Sequence, residues 1–168
     1  MIFLLVLDTN VVLDLLHFDD ATARPMLSAL KSGRVHCAVT HETFEELRRV
    51  LAYPEFALDI SRQAAILEGY RAMSLMVETV AASVEMSHKG TPIHYGLKPV
   101  WSRMPQCSDP DDQKFLELAA AVQAQGLVSK DRALLKLRRR CAPQFRIMTP
   151  AEAGCWLDEI NPHPAAET

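Results

Sequence analysis

The chain has 168 residues and a formal net charge of −3, with 49% hydrophobic and 23% charged residues. These values are typical of a globular protein with enough chain to bury a core, and they exclude a largely disordered one. The small negative charge excludes a molecule that attracts nucleic acid over its whole surface, so any such affinity must come from a local basic patch.

The four cysteines show neither zinc-finger spacing nor a pattern that requires disulfides. We therefore expect reduced thiols and a cytoplasmic protein. No apolar run approaches the roughly 20 residues that a membrane-spanning helix needs. The cysteines are Cys37, Cys107, Cys141 and Cys155.

Short apolar runs alternate with helical patterns along the chain. This alternation predicts an α/β sandwich around a central, mostly parallel sheet. The predicted strands are residues 2–7, 35–39, 126–129 and 145–148, and the predicted helices are residues 40–52, 62–76, 112–125, 132–139 and 150–159.

The pattern favours a single domain over residues 1–160, followed by a flexible C-terminal tail at 161–168. Residues 87–107 interrupt it, because their glycines and prolines suit neither a helix nor a central strand. A long irregular segment in a small domain is often functional. Tyr95 and Trp101 lie there among cations, which suits stacking on single-stranded bases, but a surface loop with Trp101 packed on the core is the favoured interpretation.

Acidic residues occur where the predicted strands end. Asp8 closes the first apolar run, and Asp131 follows the third. Glu46 lies early in the helix after the second run, and Asp109 and Asp112 precede and open another helix. Ligands of open α/β sheets bind at the carboxyl ends of the strands. Carboxylates gathered there repel one another unless a cation lies between them, and Mg²⁺ prefers oxygen ligands.

Each acid also has a purely structural explanation, because acids near helix N-termini are stabilising. Thr43 and Glu46 match a capping box, and the other four acids can each cap the helix that follows them. The pattern alone does not decide between capping and metal binding.

Five segments, in this order, resemble the PIN domain, and most closely its bacterial branch of toxins from toxin–antitoxin systems. They are DTN at 8–10, THETFEELRRVL at 40–51, DPDDQKFLELA at 109–119, LVSKDRALL at 127–135 and IMTPAE at 147–152. The resemblance covers roughly residues 2–158. It implies a three-layer α/β/α sandwich with a central parallel sheet and an acidic pocket for Mg²⁺ or Mn²⁺.

The resemblance also implies roles for individual residues. The catalytic and metal-binding acids would be Asp8, Glu46, Asp112 and Asp131, with Asp109 as a further metal ligand and Glu45 as a rival for Glu46. Thr9, Asn10 and Ser129 would support the acids. Whether the pocket takes one metal ion or two stays open. The implied partners are an RNA substrate, an antitoxin and a second copy of the chain.

A run of cations begins beside the last acid. It is either a surface that follows the phosphates of RNA or a solvated helix face. Its members are Lys130, Arg132, Lys136, Arg138 and Arg139, with Arg140 and Arg146 nearby. Lys130 departs from the small residue that the family has there and could add a phosphate contact.

The leading hypothesis is a metal-dependent ribonuclease that cuts single-stranded RNA and leaves a 5′-phosphate and a 3′-hydroxyl. One alternative is a phosphatase with Asp8 as its nucleophile, as in haloacid-dehalogenase-like proteins, although Asn10 stands where those have a second Asp. Another is a non-catalytic domain of the same fold that binds RNA or a partner.

Overall fold

The computed structural model describes residues 3–78 and 104–160. The predicted tail at 161–168 lies outside the described residues, as does most of the irregular segment at 87–107. The single domain predicted over residues 1–160 therefore stays a prediction.

The centre of the fold is a five-stranded sheet in which every described pairing is parallel. The strands lie in the order β3-β2-β1-β4-β5. They are β1 (Phe3–Leu7), β2 (Val35–Val39), β3 (Ser74–Met76), β4 (Gly126–Val128) and β5 (Arg146–Met148).

Helices cover both faces of this sheet. They are α1 (Thr9–Leu16), α2 (Arg24–Lys31), α3 (His41–Leu51), α4 (Ile60–Ala72), α5 (Gln113–Ala121), α6 (Arg132–Leu135), α7 (Arg138–Cys141) and α8 (Pro150–Ile160). Two short 3-10 turns, Pro54–Phe56 and Pro110–Asp112, complete the described elements. No helix among residues 3–78 and 104–160 is long and apolar enough to cross a membrane.

Alternate residues of the strands point to opposite faces of the sheet, and both faces are buried. In β1, Leu5 and Leu7 pack with helices α1 to α4 and α8, whereas Val6 packs with Phe115 and other side chains of α5 to α7. Burial on both sides explains why the strands read as continuous apolar runs. The three-layer α/β/α architecture around a parallel sheet is therefore confirmed.

The predicted helix at 62–76 is wrong at its C-terminal end. Helix α4 ends at Ala72, and residues 74–76 form β3, which pairs with β2 through Cys37↔Ser74 and Val39↔Met76. The Ser74 hydroxyl donates to the carbonyl of Tyr70 at 2.7 Å, at the point where the chain leaves the helix. Leu75 and Met76 of this strand extend the run of apolar residues beyond the helix, so the sequence pattern does not reveal where the helix ends.

Two further differences concern helices. Helix α2 was not predicted from the sequence, and residues 132–139 form parts of two short helices, α6 and α7, rather than one. Leu134, Leu137 and Cys141 of this region are buried in the same cluster, so both short helices pack on the same face of the sheet.

Candidate active site

The candidate acids approach the carboxyl edge of the sheet from four separate segments. Asp8 directly follows β1, and Asp131 follows β4, the neighbouring strand, which pairs with β1 through Leu7↔Val128. Glu46 lies within α3, and Asp112 ends the 3-10 turn that leads into α5. The acids therefore lie at one end of the fold and not on different faces.

Asp8 is almost completely buried, with 3% of its surface exposed. The hydroxyl of Ser129, also buried, donates to Asp8 Oδ2 at 2.7 Å, and the same hydroxyl accepts the backbone N–H of Asp131 at 2.9 Å. Burial raises the pKa of Asp8, while the Ser129 hydrogen bond acts in the opposite direction. Ser129 thus links the ends of β1 and β4 and fixes the Asp8 carboxyl group.

Glu46 is held from two sides. Thr9 donates its hydroxyl to Glu46 Oε1 at 2.8 Å, and the Lys114 ammonium contacts Glu46 Oε2. The rival Glu45 instead pairs with Arg48 at 3.4 Å, and its side chain is 37% exposed. Of the two, Glu46 is the one that faces the other acids.

Asp112 carries the most distinctive carboxyl group of the set. Its Oδ2 is buried and has no hydrogen-bond partner among the described residues. Burial is the main cause that raises the pKa of Asp112 to about 7, and the charges of Asp8, Asp131, Asp109 and Glu46 raise it further. These four acids are therefore close enough to Asp112 to disfavour its charge.

Helix capping accounts for some of the acids and not for others. Asp131 Oδ1 accepts the N–H of Ala133 at 2.5 Å, and Asp109 Oδ1 accepts the N–H of Asp111 at 3.0 Å, so both act as caps. The Asp112 side chain makes no cap hydrogen bond. Asp8 is the N-cap residue of α1, and a hydrogen bond from the backbone N–H of Asn10 acts against the rise in its pKa. Capping therefore leaves Asp112 unexplained.

The predicted capping box of Thr43 and Glu46 is wrong. Helix α3 begins one turn earlier than that prediction requires, and its capping box joins Thr40 and Thr43. Thr43 is then the third helical residue and Glu46 lies beyond the first turn, where it caps nothing. Its position needs another explanation.

The donor atoms of the candidate site suit a divalent ion, although their present arrangement does not enclose one. Within the described ranges, no group of three His, Cys, Asp or Glu side chains is arranged to hold a metal ion as it stands. The chemistry of the donors nevertheless fits Mg²⁺ or Mn²⁺, because all are carboxylates. The buried, unpartnered Asp112 oxygen is the kind of atom that a cation would satisfy.

A comparison with protein-family models identifies the fold independently. A model described as PIN domain matches residues 4–133. The chain belongs to the PIN domain family. PIN domains are typically nucleases, and these generally use divalent metal ions. Comparisons with curated proteins and with solved structures find no match.

Two lysines of this PIN domain form ion pairs that sequence reasoning missed. Lys114 contacts Glu46, and Lys130 contacts Asp14, a nearly buried acid of α1, at 2.6 Å. The Lys130 ammonium is thus engaged by a carboxylate of the protein. No sequence signal predicts either ion pair, because each joins residues that are far apart in the chain.

The remaining predicted residues of this PIN domain lie at its surface. Asn10 is exposed beside Asp8. In the basic run, Arg138 pairs with Glu152, whereas Arg132, Lys136 and Arg139 are exposed and make no ion pair with any described residue. An RNA-binding role for this run stays a prediction.

Proposed function

We propose that this PIN domain is a metal-dependent ribonuclease whose Mg²⁺ or Mn²⁺ is held by an acidic pocket of Asp8, Glu46, Asp112 and Asp131. Asp109 would add a further oxygen at the rim, where its side chain is exposed. Single-stranded RNA is the proposed substrate class, by resemblance to the family.

The observation that carries this proposal is the environment of Asp112. A carboxyl oxygen is buried without a partner, and four other acids act on the same group. Such an arrangement costs stability in a protein without a cation and becomes favourable when a cation enters. Structural acids would be expected to have caps or ion pairs, as Asp59 and Glu45 have.

The residues of this site would have separate roles in binding the ion and orienting the acids. When bound, the divalent ion supplies a water of lowered pKa and neutralises charge on the phosphate. Ser129 holds the Asp8 carboxyl group in place, and Thr9 does the same for Glu46. The exposed side chain of Asn10 lies at the entrance, where it can meet substrate or solvent.

The direct test is cleavage of a single-stranded RNA by the purified protein with Mn²⁺. We expect cleavage that EDTA abolishes and that Asp8→Asn and Asp112→Asn each reduce by at least about 100-fold, which is a typical loss for an essential electrostatic group. Products with a 5′-phosphate would agree with hydrolysis by activated water.

Glu45→Gln is the matched control, because Glu45 neighbours Glu46 in sequence and pairs away from the site. It should keep its activity. RNA cleavage that persists in Asp8→Asn and Asp112→Asn would refute the proposal. Trapping of a phospho-aspartate at Asp8 would favour a phosphatase, and RNA binding without cleavage or Mn²⁺ binding would favour a non-catalytic domain.

The toxin role belongs to the same proposal and depends on the resemblance alone. A toxin would arrest growth when expressed by itself, and a cognate antitoxin would restore growth by covering the acidic pocket. Expression of the wild-type chain and of Asp112→Asn in one host tests this, because only the first should arrest growth. The proposed homodimer is tested by light scattering.

A further inference from the structure

The Lys114 ammonium is paired with one acid of the candidate site. Its side chain is only 14% exposed, and it contacts Glu46 Oε2. The same ammonium donates to the carbonyl of Asp111 and lies 5.2 Å from the centroid of the Phe115 ring. Three separate contacts therefore hold this cation against the Glu46 carboxylate.

Glu46 and Asp112 differ in a way that bears on metal binding. Both oxygens of Glu46 have partners, Thr9 on one side and Lys114 on the other. Asp112 has a buried oxygen with none among the described residues. The carboxyl oxygen that is left without a partner is thus at Asp112, and the Glu46 carboxylate is already neutralised by the chain itself.

We propose that Lys114 is a built-in cation that occupies Glu46 and restricts the pocket to one divalent ion, which Asp8, Asp112 and Asp131 hold. Glu46 then acts as a positioning residue that anchors Lys114 beside this ion and is not itself a ligand. The inference rests on the proposed metal-dependent function, specifies its stoichiometry, and removes Glu46 from the set of metal ligands proposed above.

The physical reason is the cost of placing two cations at one carboxylate. A second divalent ion at Glu46 Oε2 would have to displace the ammonium or lie in contact with it, and like charges at such distances repel strongly in a partly buried site. Displacement would also break the hydrogen bond to Asp111 and the contact with the Phe115 ring. The ammonium therefore does the charge neutralisation that a second ion performs in two-metal nucleases.

Lys114→Met is the variant that tests this most directly. It keeps an apolar stem over Phe115 and removes the charge. Calorimetric titration with Mn²⁺ should give one ion per wild-type chain and two per Lys114→Met chain. Electron paramagnetic resonance should show an isolated Mn²⁺ in the wild type and a coupled pair in the variant, because paired ions in such sites lie about 3.5–4 Å apart.

Three further variants separate charge from structure. Lys114→Arg keeps the charge and should bind one ion. The double variant Lys114→Met/Glu46→Gln should also bind one, because the second ion depends on the freed Glu46 carboxylate. Lys130→Met is the matched control, since Lys130 pairs with Asp14 and not with an acid of the pocket, and it should bind one.

Glu46→Gln alone keeps the inference testable if Lys114→Met does not fold. It should still bind one Mn²⁺, with the loss of affinity limited to the 10–100-fold or so that supporting residues cause. Two ions in the wild type, one ion in a folded Lys114→Met, or no ion in a folded Glu46→Gln would each overturn the inference and leave the proposed function intact. A wild-type chain that binds no Mn²⁺ would overturn both.

Discussion

At Asp112, burial and four neighbouring acids all act against the charged form of one carboxyl group. Its pKa is about 7 in the folded protein, against an ordinary value of 3.8 for this carboxyl group. The folded, metal-free protein thus holds a proton that the unfolded chain releases at much lower pH. Because the folded pKa is the higher one, this contribution to stability is present below about pH 4 and is lost as the pH rises through 7.

We therefore predict that Asp112→Asn stabilises the metal-free protein at pH 8 relative to the wild type, and that the advantage shrinks towards pH 4. The amide stays neutral at every pH, so the variant escapes the cost of burying a charge. Thermal unfolding of both proteins in EDTA, measured from pH 4 to 8, gives the difference in Tm. A difference that does not change with pH would contradict the assigned cause.

The buried thiol of Cys37 gives a second prediction about a single residue. It is a fully buried residue of β2, its sulfur lies 3.2 Å from the Tyr70 hydroxyl, and burial raises the pKa of its thiol to about 11. The thiolate is the reactive form. We expect a thiol reagent at pH 8 to label the exposed Cys155 and to spare Cys37 until the protein unfolds. Mass spectrometry of the labelled peptides would reveal any premature reaction of Cys37.

Among the elements, α6 combines a structural and a proposed functional role in one residue. Asp131 caps this four-residue helix through the N–H of Ala133 and faces the acidic pocket. Asn is as good an N-cap as Asp, whereas Ala is not. Asp131→Asn should therefore unfold with a free energy within a few tenths of a kcal/mol of the wild type and still lose RNA cleavage.

Asp131→Ala separates the two roles. It should lose cleavage and also about 0.5–2 kcal/mol of stability, because the cap is gone. Urea unfolding of both variants beside the wild type measures this. If Asp131→Asn retained full activity, the acid would be a cap and nothing more.

Strands β1, β2, β4 and β5 were predictable because their burial on both faces leaves short, mostly apolar runs in the sequence. Strand β1 is the clearest case, since every residue from Leu4 to Leu7 is apolar and Asp8 marks its end. Strand β3 was not predictable, because Ser74–Met76 has no β-branched residue and prolongs the apolar pattern of α4. Its identity as a strand depends on pairing with β2, which is a tertiary interaction.

Part of the candidate site was likewise predictable from the sequence and part was not. The positions of Asp8 and Asp131 at strand ends follow from the sequence, and the family resemblance led to Glu46 and Asp112. The contacts that orient these acids did not follow. Thr9 and Glu46 are 37 positions apart, and Asp8 and Ser129 are 121 apart. Such pairs arise only when parallel strands bring their ends to one edge.

For the molecule as a whole, the net charge of −3 makes RNA binding depend on a local patch. The exposed cations Arg132, Lys136 and Arg139 lie in and beside α6 and α7, next to Asp131. We predict that changing all three to Gln weakens RNA binding and flattens its salt dependence. The slope of log K against log salt should fall by about 2 in magnitude, at roughly 0.7 per contact for single strands.

Binding is measured in EDTA with the Asp112→Asn chain, so that the RNA stays intact. The matched control changes Lys31, Arg34 and Arg71 to Gln, which removes the same charge from segments that carry no acid of the pocket. Equal losses in the two triple variants would mean that only total charge matters and would remove the basic run from the account.

The central claim is that the carboxylates of Asp8, Asp112 and Asp131, from three separate segments, act on one divalent ion at the carboxyl edge of the sheet. The most direct measurement is an anomalous difference map from crystals soaked in Mn²⁺. We predict a peak bonded to an oxygen of Asp112 and enclosed by Asp8 and Asp131, and no such peak in Asp112→Asn. A map with no peak among these side chains at saturating Mn²⁺, or with the same peak in Asp112→Asn, would contradict it.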